Sequence, residues 1–142
     1  MNAPGSPTFA QLNAYKGSPP RPWLSLRLVA ADGTALELQL LADTGNPCGV
    51  IISPRVMRQV KRADGPDLAT NFGLLQGGWV HVVMPELGLD RYLMGYTSST
   101  VVTAARKSCS DFQGLVGLPL LRLMQYGGDA SHIWLRAAAG TP

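Results

Sequence analysis

Cysteine is nearly absent from this chain, and the two that occur, Cys48 and Cys109, form no CxxC pair. Neither a zinc ribbon nor a disulfide framework is therefore signalled, while a single Cys48–Cys109 bridge stays open. Charge is sparse as well: Asp, Glu, Lys and Arg make up 15% of the sequence, and the formal net charge is +3. The one dense basic stretch, Arg55, Arg58, Lys61 and Arg62, reads as the solvated face of a helix, so no nucleic-acid partner is expected. No apolar run approaches the roughly 20 residues that span a bilayer, and Met1–Thr8 has neither a basic nor an apolar leader region. The expectation is a chain without a membrane segment, cytoplasmic, or else a soluble piece of a longer protein. The P-loop pattern, GxGxxG and GxSxG are all missing, which leaves nucleotide and serine-hydrolase chemistry without a foothold. His81 and His132 have no further ligands at metal spacing, so neither a metal nor any other cofactor is expected.

What the sequence does have is glycine and proline, sixteen and eleven of them, placed where turns between short strands need them. A length of 142 residues suits one domain with a real core. Residues 1–20 lack a sustained apolar period and are expected to be a flexible N-terminal arm; residues 21–142 are the domain. From Trp23 the period is two: Leu24, Leu26 and Leu28, then Leu36, Leu38 and Leu40, each alternate with other residues. That pattern predicts two strands, joined in a hairpin at Asp32-Gly33.

The second strand runs into Asp43-Thr44-Gly45, a turn that Asn46-Pro47 prevents from continuing, and Val50-Ile51-Ile52 restores a short buried strand. Ser53-Pro54 predicts a helix start, with Val56, Met57 and Val60 on one face and Asp64-Gly65-Pro66 as the stop. Phe72–Trp79, with Gly73, Gly77 and Gly78, predicts a mobile hairpin tip, and Gly77, Gly78 and Trp79 are its candidate lid residues. Val80–Met84, Arg91–Met94 and the β-branched Thr100–Thr103 are expected to be strands. Gly114–Leu121 predicts a buried strand leading into a short helix that ends at Gly127-Gly128, and Ile133-Trp134-Leu135 a closing strand.

This order of parts resembles the retropepsin-like (retroviral-type, single D-T-G motif) aspartic proteases over about 120 residues. Its sharpest pieces are Leu40-Leu41-Ala42-Asp43-Thr44-Gly45 and Gly114-Leu115-Val116-Gly117-Leu118-Pro119-Leu120-Leu121, with Asp129 and Ser131–Leu135 similar to the family's last turn and strand. The resemblance implies an all-β, retropepsin-like closed barrel or sandwich with one or two short helices, the acid-protease fold. It also implies an aspartic endopeptidase whose catalytic residues are Asp43, Thr44 and Gly45, acting on a peptide or protein substrate under a glycine-bearing lid.

That chemistry needs two carboxylates sharing one proton around a water, because two like charges about 3 Å apart cannot both ionise. The chain holds one D-T-G; Asp32 sits in a hairpin turn, and Asp111 and Asp129 lack the Thr-Gly context. The second carboxylate is expected from Asp43 of another copy, in a two-fold homodimer. The sequence departs from the family after the triplet, where Asn46-Pro47-Cys48 replaces the usual small residue. Two alternatives are weighed beside the protease: an ordinary Asx turn at Asp43, and a catalytically inactive retropepsin-like dimerisation or peptide-binding module.

Overall fold

The computed structural model describes residues 9–138. Its ten strands are β1 (Gln11–Ala14), β2 (Trp23–Val29), β3 (Ala35–Ala42), β4 (Val50–Ile52), β5 (Ala63–Thr70), β6 (Gly73–Met84), β7 (Leu89–Thr97), β8 (Phe112–Val116), β9 (Met124–Gly128) and β10 (His132–Ala137). Three short helices, α1 (Pro54–Val60), α2 (Ser99–Ser108) and α3 (Leu118–Leu121), interrupt them, and a 3₁₀ turn at Pro85–Leu87 joins β6 to β7. Six strands close into a barrel in the order β2-β3-β8-β4-β7-β6, with Arg27 opposite Val83 and Leu28 opposite Val82 completing the ring. β5 extends β6 outside the ring, and β1, β10 and β9 form a separate antiparallel sheet. Among the described residues no helix is long and apolar enough to cross a membrane.

Alternation explains the barrel wall. Leu24, Leu26 and Leu28 of β2 point inward with Leu38 and Leu40 of β3, and all are at most 2% exposed. Between the strands Gly33 adopts φ +87°, where a side chain would be strained, and the Asp32 carboxylate accepts from the Thr34 N–H at 2.9 Å. The small sheet is stitched to the barrel by side-chain amides: Gln11 donates to the Ser25 carbonyl (2.7 Å) and accepts from the Ser25 N–H (3.1 Å), as a neighbouring strand's peptide group would.

Four expectations are corrected. The flexible arm does not extend to residue 20: residues 1–8 lie outside the described residues, but Gln11–Ala14 pair with Ala14-facing His132 through Leu135 of β10. Thr100–Thr103 is helical rather than a strand. Ser98 caps α2 by accepting from the Val101 N–H at 3.1 Å, and Val101, Val102 and Ala105 form one buried face, so tertiary packing overrides the β-branched preference. α1 begins at the Ser53 cap as expected, yet it stops at Val60, and Asp64-Gly65-Pro66 belongs to β5. Likewise the helix after β8 ends at Leu121, and Gly127-Gly128 belongs to β9.

Phe112 is fully buried at the seam where α2 packs on the barrel, among Leu41, Ala105 and Leu115. Phe112→Ala is expected to cost about 3–5 kcal/mol, and Ser98→Ala, which removes only the cap, about 1 kcal/mol. Urea unfolding of both variants checks the order; equal losses would mean that the seam is not a tight packing site.

Candidate active site

Asp43 lies just past the end of β3, in the loop that returns the chain to β4. These two strands do not pair with each other. β8 runs between them, parallel to β3 (Leu41 opposite Leu115) and antiparallel to β4 (Val50 opposite Val116). The loop is therefore fastened to the end of β8: the Asp43 N–H donates to the Val116 carbonyl (2.9 Å), the Gly117 N–H to that of Gly49 (3.0 Å), and the Leu118 N–H to that of Asn46 (3.0 Å). Within the loop the Gly45 N–H donates to Asp43 Oδ1 at 3.0 Å, and the Asn46 N–H to the Asp43 carbonyl at 3.1 Å.

Asp43, Thr44 and Gly45, expected together, are together and exposed to solvent. Asp43 stands between two hollows. The larger, about 560 Å³, is walled by Cys48, Ile51, Leu75, Tyr96 and Leu115 and overhung by Thr70-Asn71-Phe72. The smaller, about 340 Å³, lies on its other side against Tyr15, Leu121, Tyr126 and Gly127. Among the described residues Asp43 is the only charged side chain lining the larger one, and no countercharge from them meets its field there. Burial pushes the Cys48 thiol and the Tyr96 phenol up from their ordinary values, with the nearby Cys48 adding to the effect at Tyr96; both groups stay protonated near neutral pH.

The candidate lid residues are placed differently. The β5–β6 hairpin does reach over the cleft, but its tip is Asn71-Phe72, closed by the Thr70 hydroxyl, which accepts from the Phe72 N–H (3.0 Å) and donates to the Gly73 carbonyl (2.9 Å). Gly77, Gly78 and Trp79 lie within β6, paired to Gly65, Asp64 and Ala63 on one side and to Tyr96, Gly95 and Met94 on the other. Their glycines serve close approach: a β-carbon on Gly77 would collide with the Pro66 carbonyl, and one on Gly78 would crowd Lys61 and Met57. The turn signal at Thr70-Asn71-Phe72-Gly73 was readable, but the Gly77-Gly78 pair is the stronger glycine feature and draws the eye away from it.

Two further site residues carry no sequence signal of their own. Asn46 is 8% exposed, and its Oδ1 accepts from the Cys48 N–H at 3.0 Å. Its Nδ2 is the one buried side-chain polar atom without a partner among the described residues, a cost of about 1–3 kcal/mol. Tyr96 reaches the cleft from β7, a strand that looked ordinary in sequence.

Away from the cleft, His81 pairs with Asp90 at 2.5 Å and His132 with the Ser131 hydroxyl at 2.7 Å. Among the described residues no group of three or more His, Cys, Asp or Glu side chains is arranged to hold a metal ion. Cys48 and Cys109 are both free thiols. Comparison of the chain with protein-family models, with curated proteins and with solved structures finds no match.

Gly117 sits directly beneath the carbonyls of Asn46 and Cys48, and any β-carbon there would strike both. Gly117→Ala should displace the Asp43–Cys48 loop and lower stability by at least about 2 kcal/mol, whereas a substitution at open, exposed Gly33 should cost about 1 kcal/mol. Amide chemical shifts across residues 43–48 and urea unfolding decide it; an undisturbed loop in Gly117→Ala contradicts the fastening. For the thiols, Cys109 should react with a maleimide in the folded protein while Cys48, 2% exposed, reacts only on unfolding. Mass spectrometry of a timed labelling series gives the order directly.

Proposed function

We propose that this protein is a retropepsin-like aspartic endopeptidase, working as a homodimer in which Asp43 of each copy supplies one of two catalytic carboxylates. The observation that carries the reading is the Asp43 loop itself: a D-T-G turn that ends one strand of a closed barrel, is fastened to a strand threaded between its two arms, and presents its carboxylate at the mouth of a cleft. The barrel is the coarser part of the acid-protease fold, and the threaded strand supports the finer part.

The chemistry follows from the pair. One Asp43 is ionised and takes a proton from a water held between the two; the other, protonated, donates to the carbonyl oxygen of the scissile peptide. The resulting tetrahedral intermediate collapses as the leaving amine takes up a proton, and the pair returns to sharing one. Asp43 Oδ1 is held by the Gly45 N–H, which fixes the plane of the carboxylate. Thr44 is exposed in a single copy, as a hydroxyl that bonds across a two-fold axis has to be. The hairpin tip at Asn71-Phe72 is the segment placed to close over a bound peptide, with Phe72 lining the cleft and 66% exposed.

Cleavage of an unfolded protein mixture from about pH 4 to about pH 7 tests this, comparing wild type with Asp43→Asn at several protein concentrations. Turnover is expected to rise more than linearly with concentration and to fall at least about a thousandfold in the variant. A well-folded dimer that cleaves nothing while still binding peptide would move the reading to a peptide-binding module of the same fold.

A further inference from the structure

We infer that Tyr96 is a substrate-binding residue: its hydroxyl donates a hydrogen bond to a main-chain carbonyl oxygen of a peptide lying in the cleft beside Asp43. The identity of the ligand as a peptide rests on the proposed protease reading; the open hydroxyl does not. Tyr96 stands on β7 between β4 and β6, opposite Ile51 on one side and Gly77 on the other. Its ring packs on a cluster of Cys48, Ile51, Leu75 and Val101, and the first three of these wall the cleft, as Tyr96 itself does. The ring is thus anchored, while the residue as a whole stays half-buried. Its oxygen has no hydrogen-bond partner among the described residues, yet it is not sealed, because Asn46 Nδ2 is the one side-chain polar atom among them that is both unpaired and closed to solvent. An unpaired phenol on a ring packed into the cleft wall meets the solvent of that cleft, and a bound ligand replaces that solvent.

The surroundings define what the hydroxyl can take. Burial and the nearby Cys48 hold the phenol protonated near neutral pH, so it offers an O–H rather than a charge. Other side-chain donors are scarce in this cleft: the Thr70 hydroxyl is engaged with the Gly73 carbonyl, the Asn46 amide is closed to solvent, and among the described residues no Lys or Arg lines it. That leaves Tyr96 in the wall and Asn71 at the hairpin tip. An anionic acceptor would face the Asp43 charge with nothing to offset it, which selects a neutral oxygen. Ile51, Leu68, Leu75 and Leu115 make the rest of the wall apolar, and a peptide carbonyl buried against them without a donor costs about 1–3 kcal/mol. Tyr96 removes that cost wherever the backbone of the ligand crosses it.

The test reads the Cζ resonance of Tyr96 in chain labelled with ¹³Cζ-tyrosine, a signal that reports on the hydroxyl and does not depend on turnover. Its assignment comes from its loss in Tyr96→Phe. Short capped alanine-rich peptides with a central Leu or Gln are titrated to saturation against wild type and against Asp43→Asn, which removes cleavage from the measurement. The Tyr96 signal is expected to move with both peptides, while that of Tyr92, which does not line the cleft, stays in place. Tyr96→Phe keeps the packed ring and removes only the oxygen, so it should weaken binding about fivefold and leave urea unfolding unchanged. An unmoved Tyr96 signal at saturation, a response to the Gln peptide alone, no binding of any peptide, or unchanged affinity in Tyr96→Phe would each overturn the inference. A shifted Tyr96 signal without hydrolysis by wild type would retain the binding role while removing the protease, and hydrolysis lost in Asp43→Asn with an unmoved Tyr96 signal would do the reverse.

Discussion

Three backbone hydrogen bonds tie the Asp43 loop to the end of β8, from Asp43 to Val116, Gly117 to Gly49 and Leu118 to Asn46, and they are possible only because β8 runs between the two strands that the loop connects. A loop joining adjacent strands would be a hairpin, anchored at its own ends and free at its tip. Here the strands stand one place apart in the barrel and the loop must bridge the gap across the top of a third. Gly117 is the contact that permits it, since carbonyls of Asn46 and Cys48 occupy the space a side chain would need. The exposed carboxylate thus rests on main chain rather than on mobile side chains, the kind of support a preorganised site requires.

The local hydrogen bonding at Asp43 is nevertheless ordinary. Its Oδ1 accepts from the N–H two residues on, as Asp32 does from Thr34 and Asp129 from Ser131. In the latter two the turn amides hold the carboxyl below the usual Asp range, and both groups sit in exposed turns. The Asx-turn reading of Asp43 and the active-site reading are therefore compatible descriptions of one residue. What separates Asp43 from the other two is its setting: a threaded strand beneath it, an apolar cleft beside it without countercharge, and a buried amide one residue past its triplet.

The barrel wall was legible in the sequence because β2 and β3 obey period two, and the Ser53 cap marked α1 because capping is local chemistry. Elements decided by distant partners were not. α2 is helical because Val101, Val102 and Ala105 bury against β4 and β8, and its β-branched start pointed the other way. β5 contains Asp64, Gly65, Pro66 and Asp67, poor strand formers, and is a strand because β6 offers it an edge. At the site, the D-T-G and the Thr70–Gly73 turn were visible as local motifs, whereas the placement of Tyr96 and of the orphan amide of Asn46 depends on register, which no local pattern of this chain encodes.

The threading of β8 also fixes an order of events in the making of the molecule. Leu41 and Leu115, paired in the barrel, are more than seventy residues apart along the chain, so the entropy of closing that long loop precedes any reward from the contact. During synthesis Asp43 emerges with its own hairpin long before the strand that will support it exists. Until residues 112–118 arrive, the loop has no floor and the cleft has no Leu115 wall. The nascent protein thus carries the Asp43 loop in an unassembled form, and the delay is written into the topology.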